Sequence, residues 1–280
     1  ASHLASAAGL IYQPPEIVER TAIADWRCAH FSFYDVEDTQ CLVAANTEAM
    51  MVCFRGTEPD RPQDWITDLD FDLVDGPLGG RVHEGFYDAL SRIWRLLDDE
   101  VCRLQSGWRR QLWVTGHSLG AALATLAVAR WLDAGRAVSG LYTFGQPRTG
   151  DRSFARNFDF LLRPRTFRIV NHLDIVTRTP PRALGYYHVG SFIHIDEHGE
   201  LLDDICWWRR FLSGWQGAIE TILDWGREGV QDHSIEGYCQ HLKHARQRQR
   251  PKRSDSQPLR LVIPDPSEAP IRIRPRRRAA

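Results

Sequence analysis

The apolar positions of this chain follow two rhythms. Short apolar runs at 41–45 and 50–54 read as strands joined by a turn through Asn46 and Thr47. Over about 84–104 the spacing changes: Phe86, Leu90, Ile93, Leu97 and Val101 recur three or four residues apart, which predicts a helix with one buried face. A strand at 111–115 follows, then Gly116, then an Ala/Leu-rich helix over 119–132. The runs 141–144 and 166–170 read as strands around a helix at 151–160. The stretch 186–195 reads as a late hairpin, and 203–225 and 232–245 read as helical. Short strands alternating with helices predict the α/β class, with a mostly parallel central sheet flanked by helices.

Composition narrows the classes without naming a function. Of 280 residues, 43% are apolar and 25% charged, ordinary globular values that leave no room for wholesale disorder. The formal net charge of -1 argues against a chain whose whole surface binds nucleic acid. That balance conceals an asymmetry: residues 246–280 carry 11 Lys/Arg against 3 Asp/Glu and six of the 15 prolines. The expected division is therefore an acidic folded body, 1–245, and a basic, Pro-rich tail, 246–280. The tail reads either as a poorly ordered terminus or as a surface for an acidic partner such as anionic lipid. Its segment 259–263 is apolar enough to dock as an edge strand. The longest apolar run, 121–129, is far short of the ~20 residues a membrane helix needs, so no transmembrane segment is expected. Six cysteines show no C-x-x-C and no zinc spacing, and no metal site is expected. No signal-peptide pattern is visible at the start, which leaves a cytoplasmic protein or the mature form of a secreted one; compartment and oligomeric state stay open.

The strongest local signal is Gly116-His117-Ser118-Leu119-Gly120, between a predicted strand and a predicted helix. A G-x-S-x-G elbow requires that setting: the serine sits on a sharp, strained turn, and the residues two before and two after it come too close to carry a Cβ. The N-terminus of the following helix offers free N–H groups and a positive dipole end to a developing oxyanion. Ser118 is thus a candidate nucleophile, and it needs a histidine base and a carboxylate to orient that base.

In sheets that carry such elbows the order along the chain is Ser, Asp/Glu, His. Asp174 lies just past the strand 166–170, at the end of the sheet where sites collect. Asp151 is the runner-up but reads as a helix N-cap, and Asp203 and Asp204 open a predicted helix in the same way. Among the histidines, His233 sits in the polar break Asp232-His233-Ser234 between two helical stretches, late enough to swing over the sheet edge. His188 is the runner-up, with His83, His172, His194 and His198 also eligible; His117 should point away from the serine into packing.

Taken together, several stretches resemble a known family. Phe54-Arg55-Gly56-Thr57, Val82-His83-Glu84-Gly85-Phe86, the elbow, Thr143-Phe144-Gly145-Gln146-Pro147-Arg148, Val170-Asn171-His172-Leu173-Asp174-Ile175-Val176, Pro180-Pro181 and Asp232-His233-Ser234 are similar, in order, to the class 3, fungal-type triacylglycerol lipases. The resemblance implies an α/β-hydrolase fold, a serine ester hydrolase acting on lipid esters at an oil–water or membrane interface, and no cofactor. It implies oxyanion-hole N–H groups from Thr57 and Leu119. It also implies a lid at about 58–72, in which Trp65, Ile66 and Leu69 fall at helical spacing. A phospholipase A1, a feruloyl or short-acyl esterase, and a non-catalytic binding module that keeps the fold are the alternatives. The Trp-rich stretch 203–230 departs from the pattern and reads as core packing, an acyl groove or an interface-inserting segment.

Overall fold

A computed structural model describes residues 2–56, 70–107, 110–203 and 231–248 of the chain. Thr57, the lid residues Trp65, Ile66 and Leu69, nearly all of the predicted 203–225 helix and the 259–263 segment lie outside the described residues.

Two helices open the chain, α1 (Ser2–Leu10) and α2 (Pro15–Asp25). An antiparallel meander follows: β1 (His30–Val36), β2 (Thr39–Ala45) and β3 (Ala49–Phe54). A short two-stranded ribbon, β4 (Leu73–Asp75) and β5 (Arg81–His83), leads into the long helix α3 (Glu84–Gln105). Then come β6 (Gln111–His117), α4 (Leu119–Asp133), β7 (Gly140–Phe144), α5 (Arg152–Leu162) and β8 (Thr166–Asn171). The described part ends with β9 (Ser191–Ile195), β10 (Leu201–Asp203) and α6 (Ile235–Arg248). Eight strands make one sheet in the order β1-β2-β3-β6-β7-β8-β9-β10. The run from β3 to β9 is parallel throughout, and β10 closes the edge antiparallel to β9.

Strand alternation divides the core in two. Cys41, Val43 and Ala45 of β2 face a core shared with α3, α4 and α5, while Leu42 and Ala44 face a second core built with α1, α2 and α6. The α3 stripe anticipated from spacing is the buried one: Phe86, Leu90, Ile93, Leu97 and Val101 are all closed to solvent. Helix α4 is buried continuously from Gly120 to Ala129, so its small side chains let it lie close on the sheet beneath α3. At its far end the Trp131 indole donates to Asp98 at 2.9 Å, and Asp98 also pairs with Arg136 at 2.6 Å.

Two expectations need correction. Residues 186–195 are not a hairpin: β9 alone occupies 191–195, parallel to β8, and its hairpin partner is β10. Ten residues leave little room for two paired strands and a turn. Gly190, at φ +78° and packed against Thr166, marks where the preceding loop turns into β9. Asp203 therefore ends a strand and opens no helix. The 232–245 helix begins later, at Ile235, with Asp232 and His233 in the turn before it.

His83 caps α3, its Nδ1 accepting from the Phe86 N–H at 3.4 Å while its ring stacks on Phe86 at 3.9 Å. Burial pushes its pKa from 6.5 down to about 4. The unfolded chain therefore takes the proton first: stability linked to His83 is full above pH 6.5, falls as pH drops towards about 4, and is flat below. The loss is about 3 kcal/mol. Urea titrations at successive pH values should show a shallower decline over this window in His83→Asn, which keeps a capping acceptor without the titration.

Candidate active site

Strand β6 delivers Ser118 at its C-terminal end, and α4 begins one residue later. Ser118 adopts φ 57°, ψ -128°, a left-handed setting that a residue with a Cβ adopts only under strain. The flanking glycines make the turn possible. A Cβ on Gly116 would run into the Gly120 carbonyl and come within 2.8 Å of the Ala121 nitrogen, so strand and helix meet backbone to backbone. In the first turn of α4 the Ala121 and Ala122 N–H groups bond to the Ser118 carbonyl at 3.0 and 3.4 Å, and the Leu119 N–H, the first of the helix, precedes any intrahelical acceptor.

The loops after β8 and before α6 converge on that serine. The Ser118 hydroxyl donates to His233 Nε2 at 2.7 Å. His233 Nδ1–H donates to Asp174, 3.0 Å from each carboxylate oxygen. This bond fixes the tautomer, leaving Nε2 as acceptor. The three residues are nearly closed to solvent, at 2%, 2% and 1% exposure for Ser118, His233 and Asp174. Asp174 accepts two further bonds, from the Val176 N–H at 3.0 Å and from the Tyr238 hydroxyl. Burial and the neighbouring carboxylate push the Tyr238 pKa well up, so the phenol stays a donor.

The turn bearing His233 is tied to the turn bearing Asp174. Asp232 Oδ2 accepts from the Leu173 N–H at 2.9 Å and lies 3.0 Å from His172 Nδ1, and the Asn171 amide donates to the Asp232 carbonyl at 2.9 Å. On the other side, His117 Nε2–H donates to the His233 carbonyl at 2.7 Å, and His117 Nδ1 accepts from the Tyr12 hydroxyl at 3.0 Å. Burial, then the proximity of His233, holds the His117 pKa well below its usual value, in keeping with one nitrogen donating and the other accepting. The Tyr12 oxygen in turn accepts from the Gly56 N–H at 3.2 Å, one residue before Thr57. His117 is thus buried as expected, but it hydrogen-bonds to the backbone of His233. Gly145, at φ +60°, lies where a Cβ would sit 2.8 Å from both Asp174 and His233, so only a glycine leaves room for the pair.

The other candidates lie elsewhere. Asp151 is an N-cap, accepting from the Phe154 N–H at 2.8 Å. His188 Nε2–H donates to the Thr177 carbonyl at 2.8 Å, His194 lies on β9, His172 meets Asp232, His83 caps α3, and His198 is an exposed loop residue beside Glu197. Sequence reasoning missed Tyr12, Asp232 and Tyr238. Asp232 and Tyr238 flank His233 closely enough to have been flagged; Tyr12, 105 residues before His117, carries no such signal. Among the described residues, no group of three or more His, Cys, Asp or Glu side chains could hold a metal ion, and no helix is long and apolar enough to cross a membrane.

A mostly parallel eight-stranded sheet, helices on both faces and a strained serine between a strand and a buried helix define the α/β-hydrolase fold. Comparison with known proteins narrows the class. Residues 51–184 match the family described as Lipase (class 3). The chain is 32% identical over 209 residues to a lipase of Rhizomucor miehei, covering 67% of this chain and 57% of that one. It is 34% identical over 183 residues to phospholipase A1-II 4 of Oryza sativa subsp. japonica, covering 55% of this chain and 45% of that one. Among solved structures, the Rhizomucor miehei lipase–propeptide complex superposes with a TM-score of 0.57 at 29% identity, over 72% of this chain and 69% of that chain. A Rhizomucor miehei triacylglyceride lipase gives 0.60 at 26% identity, over 80% and 91%. The chain spans about half the length of the sequence relatives it matches.

Proposed function

We propose that this protein is a carboxylic ester hydrolase acting on lipid esters, a triacylglycerol lipase, with Ser118 as nucleophile, His233 as base and Asp174 as orienting acid. The observation that carries the reading is the unbroken hydrogen-bond line from Ser118 Oγ through the His233 ring to Asp174. In this reading Ser118 Oγ attacks the ester carbonyl carbon as its proton passes to His233 Nε2. The carbonyl oxygen becomes an oxyanion facing the Leu119 N–H at the start of α4, and a second donor comes from Thr57 by resemblance. The close approach of Gly56 to the elbow supports that role for its neighbour. The intermediate collapses, the alcohol leaves with the proton from His233, and an acyl-serine remains. Water then attacks with the same base, releasing the acid and restoring Ser118.

A serine only 2% exposed has to be uncovered before an ester reaches it. That favours the lid reading of 58–72, with Trp65, Ile66 and Leu69 meeting the lipid when it opens. We also keep 1–245 as the hydrolase domain and 246–280 as an appended tail. The rice relative favours a phospholipase A1 as second reading. Rates on triacylglycerol emulsions, phospholipid vesicles and a chain-length series of nitrophenyl esters separate these. The lipase reading expects release of fatty acid from triacylglycerol, a rise in rate when substrate passes its solubility limit, and a preference for longer acyl chains. Release from phospholipid alone transfers the assignment to a phospholipase, and a preference for acetate rejects both lipases.

A further inference from the structure

Beside the Asp174 turn lies a cavity of about 390 Å³ that Asp174 lines but neither Ser118 nor His233 does. Arg168 and Val170 of β8 and Phe192 of β9 project into it from one face of the sheet, and the loop between those strands closes over them with Arg178, Arg182 and His188. Arg148, from the turn after β7, completes a wall with four guanidinium groups.

Two of the four, Arg148 and Arg182, are poorly balanced by the protein. Arg148 donates to the main-chain carbonyls of Arg178 and Pro180. Burial, with Arg182 and Arg178 nearby, draws its pKa down, the signature of a cation held among cations. Among the described residues neither Arg148 nor Arg182 has a carboxylate in salt-bridge range; the Arg182 guanidinium lies over the Tyr187 ring, 5.3 Å from its centroid. Asp174 lines the cavity, but its carboxylate oxygens are occupied by His233, Val176 and Tyr238. His188 commits Nε2–H to the Thr177 carbonyl, and its buried Nδ1 has no hydrogen-bond partner. Gathering like charges in a half-buried space costs stability unless something neutralises them.

We infer that this cavity is a binding site for an organic phosphate, whose oxygens are taken by the Arg148 and Arg182 guanidinium groups and His188 Nδ1 and whose organic part lies on Phe192 and Val170. Phosphate suits the donors better than a single carboxylate does. Its three free oxygens can engage more than one planar guanidinium fork at once, and a protonated phosphate oxygen can donate to His188 Nδ1. The volume exceeds that of inorganic phosphate and falls within the range of small-molecule sites, about 300–1,000 Å³. The phosphate could belong to a lipid headgroup or to a soluble ester. The site is separate from the hydrolase reading and does not depend on it.

The test is calorimetric titration of the full chain, at constant ionic strength, with inorganic phosphate, glycerol 3-phosphate, octanoate as a carboxylate control, and short-chain phosphatidic acid, the last in a Ser118→Ala background so that turnover cannot intervene. Saturable binding of glycerol 3-phosphate, weakened about tenfold in Arg182→Gln, is expected; a hydrogen bond to a charged group is of that size. Arg182 is exposed at the rim, so this variant should fold normally, as its far-UV circular dichroism and unfolding midpoint will show. Tighter binding of phosphatidic acid than of glycerol 3-phosphate assigns the site to a lipid headgroup, and the reverse order to a soluble ester. Equal binding of octanoate, no saturable binding of any phosphate, or unchanged affinity in Arg182→Gln overturns the proposal. Loss of esterase activity elsewhere in the molecule would leave these titrations untouched.

Discussion

Ser118→Ala is expected to lower kcat for ester hydrolysis by about 10⁶, the scale seen when a serine hydrolase loses its nucleophile. No other described side chain stands in line with His233 Nε2 to take its place. Covalent labelling by a fluorophosphonate probe should disappear in the same variant while remaining stoichiometric in the parent protein. Retained labelling or turnover within tenfold of the parent would remove Ser118 from the reaction. A companion substitution separates chemistry from strain. Alanine keeps a Cβ at φ 57°, so Ser118→Ala retains the strained turn and loses only the hydroxyl. Ser118→Gly relaxes that turn and should unfold at higher urea than the alanine variant, by up to about 1 kcal/mol, although glycine's larger unfolded-state entropy offsets part of the gain. Equal stability of the two variants would mean that the strain relieved is no larger than that entropic offset.

What was legible in the chain follows from how local each constraint is. The elbow is written in five consecutive residues because its geometry excludes a side chain at Gly116, a local steric fact. The α3 stripe and the strand alternation are local in the same sense, each set by the period of one element. Asp174 and His233 were readable one step further out, from position relative to a strand end and a polar break. The N-terminal helices were not read. In α1 three of the buried positions, Ala5, Ala7 and Ala8, are too small to add much to Leu4 in raising an apolar stripe above its surroundings; the helix belongs where it is because α6 and β6 offer it a surface. The hairpin misreading has a similar origin: the partner of β9 lies beyond a turn, and an alternating apolar pattern does not say which neighbour a strand will choose. Tyr12 depends on a contact across 105 residues, which no local pattern carries. The residues of the Ser118–His233–Asp174 hydrogen-bond line were therefore accessible to sequence reasoning, whereas most of the bonds that hold that line in place were not.

Those supporting bonds determine the second large effect, Asp174→Asn. In the parent protein three donors converge on one carboxylate: the His233 Nδ1–H, the Val176 N–H and the Tyr238 hydroxyl. An asparagine offers one oxygen and one NH₂ group in the same space, so one of these donors must face another donor. If the NH₂ meets His233, the ring is driven to the other tautomer, with Nε2 protonated and unable to accept from Ser118. If it meets Tyr238, the phenol has to turn away inside a fully buried site, its hydroxyl then left without the acceptor it now uses. The first route leaves the nucleophile without a working base, and through it kcat should fall by about 10⁴, with KM changed far less because the carboxylate does not touch substrate. Tyr238→Phe removes a single donor and preserves the tautomer, so its expected loss is about tenfold. The ratio between the two variants is the informative quantity. Comparable losses would mean that Asp174 acts chiefly through Tyr238 and the packing of α6; a loss in Asp174→Asn that exceeds that of Tyr238→Phe by two orders of magnitude or more is what tautomer control at His233 requires.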